Sequence, residues 1–167
     1  MEALVIPPHL EDLEWYLGHC AWLYGQYGRM PHGVEPVAPP VRANLTGAVL
    51  HGVNLSNAIL RWAILAGSDL TGANCTGADL FWSDLEGAIL AGANLADGNL
   101  ARADLTGANC RGANFSGADL TECILVGADL RDADFDDAII DGANFDGADL
   151  RGAIGLPDAI MAAGATH

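Results

Sequence analysis

The sequence contains no lysine, and its 7 arginines face 22 aspartates and glutamates, for a net charge of −15. Proteins that bind nucleic acid need basic residues to neutralise phosphates, so this balance argues against direct nucleic-acid binding. It also argues against docking on an anionic membrane surface. The longest apolar runs are only a few residues long, which excludes a bilayer-spanning segment. The first residues lack the basic and apolar stretches of a secretory signal, so we expect a cytoplasmic protein without a membrane partner.

The sequence also lacks a recognisable set of catalytic or metal-binding residues. Of the five histidines, only His51 lies in the repetitive region described below, and no second histidine is spaced to join it. His19 and Cys20 are neighbours in sequence but too isolated to form a metal site. We therefore predict that the protein is not an enzyme and holds no metal and no cofactor.

What the sequence has in abundance is a repeat of five residues. From Leu45 to Leu150, every fifth residue is Leu, Phe, Cys or Ile, at 22 consecutive positions without an insertion or a deletion. A small residue, usually Ala, lies two positions before each of them, and Asn or Asp usually lies one position before. Gly usually follows two positions after. The repeating unit is therefore Ala-(Asn/Asp)-Leu-x-Gly.

A period of five fits neither an α-helix, with its period of 3.6, nor a β-strand, with its period of 2. The chain must therefore turn once per repeat, so that each Leu and each Ala points inward. Four such turns close a square coil of 20 residues, and successive coils stack about 4.8 Å apart through backbone hydrogen bonds. Asn, Asp and Gly are suited to the corner turns. The cysteines at inward positions (Cys75, Cys110 and Cys123) are expected to be reduced packing residues.

The runs ANLTG, ANCTGADLFWSDLEG and ADLTGANCRGANFSGADL resemble the pentapeptide-repeat proteins. The resemblance covers residues 43–155 and implies an all-β solenoid, a right-handed quadrilateral parallel β-helix of about 5.5 coils. It implies no single function, since the family hosts many roles. Some members, including the quinolone-resistance group, are similar to duplex DNA in size and charge and bind DNA gyrase or topoisomerase IV.

A solenoid exposes an apolar cross-section at each end and needs caps. We predict an N-terminal cap over residues 1–41, with a helix at 9–28 and a proline-rich linker after it, followed by the β-helix over 42–155. The helix either covers the first coil as a lid or docks on a partner or a second copy. The side chains expected to define this cap helix are Leu13, Trp15, Leu17, Trp22 and Tyr24.

Residues 156–167 begin where the repeat register breaks, at Leu156 and Pro157. We predict a short helical C-terminal cap there, followed by a tail. The resemblance implies that such an end can form a homodimer interface.

One side of the coil departs from the consensus, the side that carries Leu60 and the inward residues 20, 40, 60 and 80 positions further on; we call it the Leu60 face. Its corners carry bulky side chains where Gly is usual. We predict an aromatic–arginine patch there that is buried against something. Either residues 1–40 fold down and cover it, or it binds a partner, because exposed Trp and Arg are frequent in binding hot spots. The patch consists of Arg61, Trp62, Phe81, Trp82 and Arg102.

The acidic residues outside the consensus Asn/Asp position concentrate toward the C-terminus. Net charge is −3 over residues 43–118 and −8 over residues 119–155. This acidity either keeps an apolar solenoid soluble or imitates DNA, since 22 repeats give about 26 Å of length and duplex DNA of that length carries about 15 charges. The residues proposed for this acidic surface are Glu122, Asp132, Asp136, Asp137, Asp141 and Asp146.

Three functions remain open from the sequence. The first is a rigid, non-catalytic interaction scaffold for a protein partner. The second is a sharper form of the first, a DNA mimic that binds a type II topoisomerase. The third is a carrier or recognition domain whose flexible terminus is the substrate of a partner enzyme. A convex solenoid offers no water-excluding cleft for paired acid–base catalysis, which disfavours an enzyme.

Overall fold

The computed structural model describes residues 43–158 and 160–161, and residues 43–154 form a parallel β-helix. Parallel backbone bridges join residues 20 apart, from the pair Asn44 and Ile64 to the pair Asp134 and Ile154. A bridged residue recurs at every fifth position, at 44, 49, 54 and so on to 154, and each is a single residue rather than a longer strand. Each coil therefore has four sides and 20 residues, and the register predicted from the repeat is confirmed.

Each corner is a four-residue turn. In the first, the amide of Ala48 donates to the carbonyl oxygen of Leu45 at 2.9 Å, and Gly47 has a φ of +65°. A bond between the first and fourth residues with a positive φ at the third is typical of a type II turn, which favours Gly at that position. The same bond and the same sign of φ recur along the repeats. The positive φ of the corner thus explains why the unit favours Gly at this position.

The Asn or Asp of each unit stabilises the same turn from outside. The Asn44 side-chain oxygen accepts a hydrogen bond from the amide of Thr46 at 3.2 Å, and Asp69 accepts one from Thr71 at 2.9 Å. Such local bonds are characteristic of Asx turns. On the side that carries Leu55, asparagines stack 20 residues apart, and the Asn74 amide nitrogen donates a hydrogen bond to the Asn54 side-chain oxygen at 3.3 Å. Further down, each asparagine side chain supports its own turn.

The core is a column of inward Leu and Ala side chains, most of them less than a twentieth exposed. Where Phe replaces Leu, the rings continue the column: Phe115 and Phe135 stack with their centres 5.0 Å apart. The hydroxyls of Ser68 and Ser83, at small-residue positions, have no hydrogen-bond partner among the described residues. The apolar half of the composition thus forms a narrow axial column.

At the C-terminal end, residues 158, 160 and 161 are helical. The half-buried side chains of Leu156, Ile160 and Met161 pack against the core. The predicted N-terminal cap, including the helix at 9–28, lies outside the described residues. In the part of the chain that is described, no helix is long and apolar enough to cross a membrane.

Candidate protein-binding surface

The aromatic–arginine patch lies on the first three coils of the Leu60 face. Arg61 and Phe81 occupy the second position of their turns, and Trp62, Trp82 and Arg102 occupy the corner position of three successive coils. Trp82 is the most exposed of the three aromatic residues, at 47% of its surface, while Trp62 and Phe81 are half-buried. The register therefore places all five residues on one side of the solenoid.

The upper part of the patch is organised around Phe81. The Arg61 guanidinium lies 5.2 Å from the centre of the Phe81 ring and forms an ion pair with Asp79. The edge of one ring in the pair Trp62 and Phe81 meets the face of the other, with centres 6.3 Å apart and planes at 81°. Contacts between a cation and an aromatic face, and between ring edges and faces, are each favourable. These four side chains hold one another in place.

The lower part of the patch centres on Arg102. Its guanidinium lies 6.0 Å from the centre of the Trp82 ring, and its Nε is 2.8 Å from a carboxylate oxygen of Glu122 in the next coil. Both charged side chains are about half exposed, so the ion pair orients Arg102 more than it stabilises the fold. Arg102 thus connects the aromatic patch to the acidic surface below it.

The corner of the Leu60 face carries unfavourable backbone geometry in four successive coils. Trp62, Trp82, Arg102 and Glu122 have φ values between 55° and 60°, in the left-handed region. For a residue with a Cβ this region costs about 1–2 kcal/mol relative to the right-handed one, and only Asn and Asp enter it with some ease. The other described corners without Gly follow that preference. They are Asn57, Asp97, Asp132 and Asp137.

The six residues of the acidic surface are all exposed, but they are not on one side of the solenoid. Glu122 and Asp141 lie on the Leu60 face, whereas the other four belong to the three remaining sides. Two of the six are neutralised locally: Glu122 pairs with Arg102, and Asp132 lies 3.5 Å from Arg111. The negative charge of the last coils is therefore a belt around the solenoid.

Three arginines stack at intervals of 20 residues on the side of the coil that carries Leu50: Arg111, Arg131 and Arg151. They form ion pairs with aspartates. The Arg131 Nε lies 2.8 Å from Asp129 of its own turn and 3.5 Å from Asp149 one coil below. Arg151 binds Asp149 in the same way, with its Nε at 2.8 Å. These hydrogen bonds hold the pKa of the Asp129 carboxyl below its usual range and lower the pKa of Asp149 to about 2. This ladder stiffens one side and offers no uncompensated cation.

The three described cysteines are free and buried. Burial raises the pKa of the Cys75 thiol to about 12, and it raises the pKa of Cys110 and Cys123 further. Thiols that stay protonated are poor nucleophiles and poor metal ligands. Within residues 43–158 and 160–161, no group of His, Cys, Asp and Glu is arranged to hold a metal ion. The predicted cap-helix residues at positions 13–24 lie outside these ranges.

Two features of the patch were not anticipated from the sequence. Asp79 occupies a consensus position, yet its carboxylate pairs with Arg61, 18 residues earlier and on the same side of the coil. The second feature is the strained φ of four corners, which the sequence shows only as a loss of Gly. The signal was present, because Gly is missing from four consecutive coils at positions where the turn requires a positive φ.

Comparison with known proteins agrees with this architecture. The family model for pentapeptide repeats matches in 8 copies, over residues 41–72, 50–87, 73–112, 83–121 and 113–152, which is more than half of the chain. No curated protein sequence matches the chain.

Three solved structures illustrate the likeness. HetL, a pentapeptide repeat protein involved in heterocyst differentiation regulation in the cyanobacterium Nostoc sp. strain PCC 7120, is 34% identical with a TM-score of 0.61. The match covers 68% of this chain and 62% of HetL, so the chain spans less than two thirds of that relative. Rfr23 from the cyanobacterium Cyanothece 51142 is 27% identical with a TM-score of 0.64, over 66% of this chain and 90% of its own. QnrB1, a plasmid-mediated fluoroquinolone resistance protein, is 17% identical over 72% of this chain and 70% of its own, with a TM-score of 0.39, a likeness too remote to bear on function.

Proposed function

This chain belongs to the pentapeptide-repeat family, whose solenoid is a right-handed β-helix, and from that premise we propose that it is a non-catalytic protein-interaction scaffold. Its β-helix acts as a rigid rod. The aromatic–arginine patch on the Leu60 face is the surface that binds a protein partner.

The observation that carries this proposal is the run of strained corners. Gly at the corners of the Leu60 face would serve the fold better, because Trp82 and Arg102 enter the left-handed region at a cost of about 1–2 kcal/mol each. Backbone strain of this kind persists where the surrounding structure holds it and is concentrated at functional sites. The bulky corner residues are therefore explained by what they present to the outside.

The chemistry of the patch suits a protein interface. Trp and Arg are the residues most enriched among those that dominate binding energy. Contacts with Phe81 and Glu122 already hold the arginines in place, so binding would immobilise few additional side chains. The rigid β-helix beneath supplies a fixed platform.

The test is capture of partners from the native host by the wild-type protein and two variants, followed by mass spectrometry. Trp82→Gly removes the exposed aromatic side chain and relieves its corner. Asp97→Gly is the matched control, because Asp97 also has a positive φ, at 56°, on the neighbouring side. We expect wild type and Asp97→Gly to capture the same specific protein and Trp82→Gly to lose it. Equal capture by all three would contradict the proposal.

A second function, a DNA mimic that binds DNA gyrase or topoisomerase IV, is favoured by the acidic belt. Residues 119–155 carry a net charge of −8, and their exposed carboxylates lie on all four sides, as phosphates surround a duplex. A gyrase supercoiling assay tests it: inhibition or protection at micromolar protein, weakened by Asp136→Asn with Asp137→Asn, supports mimicry. Unchanged supercoiling at that concentration excludes it.

The ends of the rod complete the proposal. In the last coil Ile140 and Phe145 are half-buried, although Phe135 and Leu150 stay buried. We propose a cap formed by residues 1–41 at the first coil and a second one from residue 156 onward, where this partly open end is available for a homodimer. Light scattering of the purified protein tests the dimer.

The alternative function is a carrier or recognition domain whose terminus is modified by a partner enzyme. The intact mass of the protein isolated from its native host tests it. We also propose that the protein is located in the cytoplasm.

A further inference from the structure

The five arginines of the described solenoid lie on two opposite sides of the square coil. Arg61 and Arg102 lie on the Leu60 face, whereas Arg111, Arg131 and Arg151 lie on the Leu50 side. Each of them forms an ion pair with an acidic residue of its own side. The Leu60 face below Arg102 therefore contains no arginine in the described part of the chain.

Two carboxylates on this lower part of the Leu60 face have no cationic partner among the described residues. One oxygen of Asp119 accepts a hydrogen bond from the Thr121 amide at 2.9 Å, which leaves the second oxygen available. Asp141 is exposed in the next coil. Ile139 is bridged to Asp119, and its side chain is 50% exposed. Along the axis, the Leu60 face thus changes from an aromatic surface to a negatively charged one.

The distance between these two surfaces sets the length of an occupant. Trp82 is the corner of one coil, and Asp141 directly precedes the corner three coils below it, at residue 142. Three spacings of about 4.8 Å give about 14 Å along the axis. An extended segment rises about 3.3 Å per residue, so side chains four residues apart are about 13 Å apart. Because the spacing is even, both side chains point to the same face.

The two surfaces suit different side chains of such a segment. The indole of Trp82 is 47% exposed and offers a large apolar area to an apolar or aromatic side chain. Asp119 and Asp141 suit a lysine or an arginine, because opposite charges across an interface favour encounter and fix the register of the partner. The net charge of −15 attracts a basic partner from a distance.

We propose that the Leu60 face binds an extended segment of a basic partner protein. The segment places an apolar or aromatic side chain on Trp82 and a lysine or arginine, four residues away, over Asp119 and Asp141. The ion pair of Arg102 with Glu122 lies between these contacts, where it is already neutral and requires no charge from the partner. This inference rests on the function proposed for the aromatic–arginine patch and names the chemistry of its partner.

The test selects peptides from a random display library on the full-length protein and measures the affinity of an enriched peptide by fluorescence anisotropy. Asp119→Asn with Asp141→Asn removes both charges and keeps the oxygen that accepts from the Thr121 amide. Asp134→Asn with Asp136→Asn on the neighbouring Leu55 side is the matched control. There Asp134 accepts from the Asp136 amide at 2.9 Å in the same way, and Asp136 is exposed.

We expect the enriched peptides to share an apolar or aromatic residue and a lysine or arginine four positions away. The dissociation constant should rise by about fivefold or more in the 119/141 variant and in Trp82→Gly. It should stay within about twofold of the wild-type value in the 134/136 variant, because charges on another side are screened. Enrichment without a basic residue at this spacing, no enrichment, or equal affinity of the 119/141 and 134/136 variants overturns the proposal.

These results separate this inference from the proposed function. If the 119/141 change has no effect while peptide binding and partner capture still depend on Trp82, the patch binds a partner of a different chemistry. If neither peptide binding nor partner capture depends on Trp82, the proposed function is wrong, and this inference is wrong with it.

Discussion

Among the described glycines, Gly155 leaves the least room between its Cα and the backbone of the neighbouring coil. This predicts what an added methyl group at residue 155 would do. Gly155 ends the last coil with a φ of +80°. A Cβ placed there would lie 2.3 Å from the amide nitrogen of Asp136 and 2.4 Å from the carbonyl carbon of Phe135. Both are backbone atoms within the ladder of the coil above, so no rotamer change relieves the collision. Gly155→Ala must therefore displace the chain after residue 154.

The free energy of unfolding that Gly155→Ala loses is set by the apolar contacts that the displaced segment gives up. Leu156, Ile160 and Met161 are half-buried against the core, and full burial of such a side chain contributes about 1.5–3 kcal/mol. Losing three half-buried side chains costs about 3 kcal/mol in total. The control is Gly112→Ala, where φ is +64° but no atom lies within 4 Å of the added methyl. There we expect about 1 kcal/mol, the left-handed penalty less the gain from a stiffer unfolded chain.

Urea unfolding of the two variants and the wild type, followed by circular dichroism, measures both quantities. We expect Gly155→Ala to lose about 3 kcal/mol with a smaller denaturant slope, because a released end leaves less surface to expose on unfolding. Gly112→Ala should lose about 1 kcal/mol with an unchanged slope. Equal losses and equal slopes would refute the reasoning, since they would mean that the end of the chain is not held against the last coil.

Three further predictions concern the corners, the ion pairs and the thiols. Gly117→Ala should destabilise the protein more than Gly112→Ala in urea unfolding, because the added methyl would lie 2.6 Å from an Asp97 carboxylate oxygen. Asp97→Gly should abolish this difference in stability, and a difference that persists would contradict the explanation. NMR titration should give Asp149 a pKa of about 2 that rises in Arg151→Gln. Because the pKa of Asp149 is lower in the folded than in the unfolded protein, its ion pair with Arg151 stabilises the fold above a pH of about 4. That contribution disappears as the pH falls toward 2. An Arg151→Gln variant in which Asp149 keeps its wild-type pKa would refute the link. In a Cys20→Ser variant, thiol reagents at pH 8 should label the protein only after unfolding, and fast native labelling would contradict the buried, protonated state assigned to Cys75, Cys110 and Cys123.

The two ends of the solenoid differ in what they offer a partner. Near the start, aromatic side chains and paired arginines form a surface with little net charge. Near the end, exposed carboxylates surround the rod. A partner that binds the first through apolar contacts would be largely insensitive to salt, whereas one that binds the second would not, because exposed charges are screened at physiological ionic strength.

The sequence by itself determined the architecture, because a period of five without insertions allows only one stacking. The parallel bridges at intervals of 20, such as the pair Asn54 and Asn74, follow directly from that period. The roles of Gly and of Asn or Asp at the corners follow as well, since each acts within its own turn. The side of the rod that carries Trp62 and Trp82 could likewise be predicted from register alone.

The tertiary structure alone decided how those side chains are held and how the charges are distributed. The pairing of Arg61 with Asp79, and of Arg102 with Glu122, joins residues in neighbouring coils whose contact depends on side-chain conformation. The strained φ of Trp82 is visible only once its corner is built. The structure also decided which exposed acids are neutralised, since Glu122 pairs with Arg102 and Asp132 with Arg111. Local turns repeat within five residues and are encoded there, whereas the surface is made by residues about 20 apart, which no single repeat specifies.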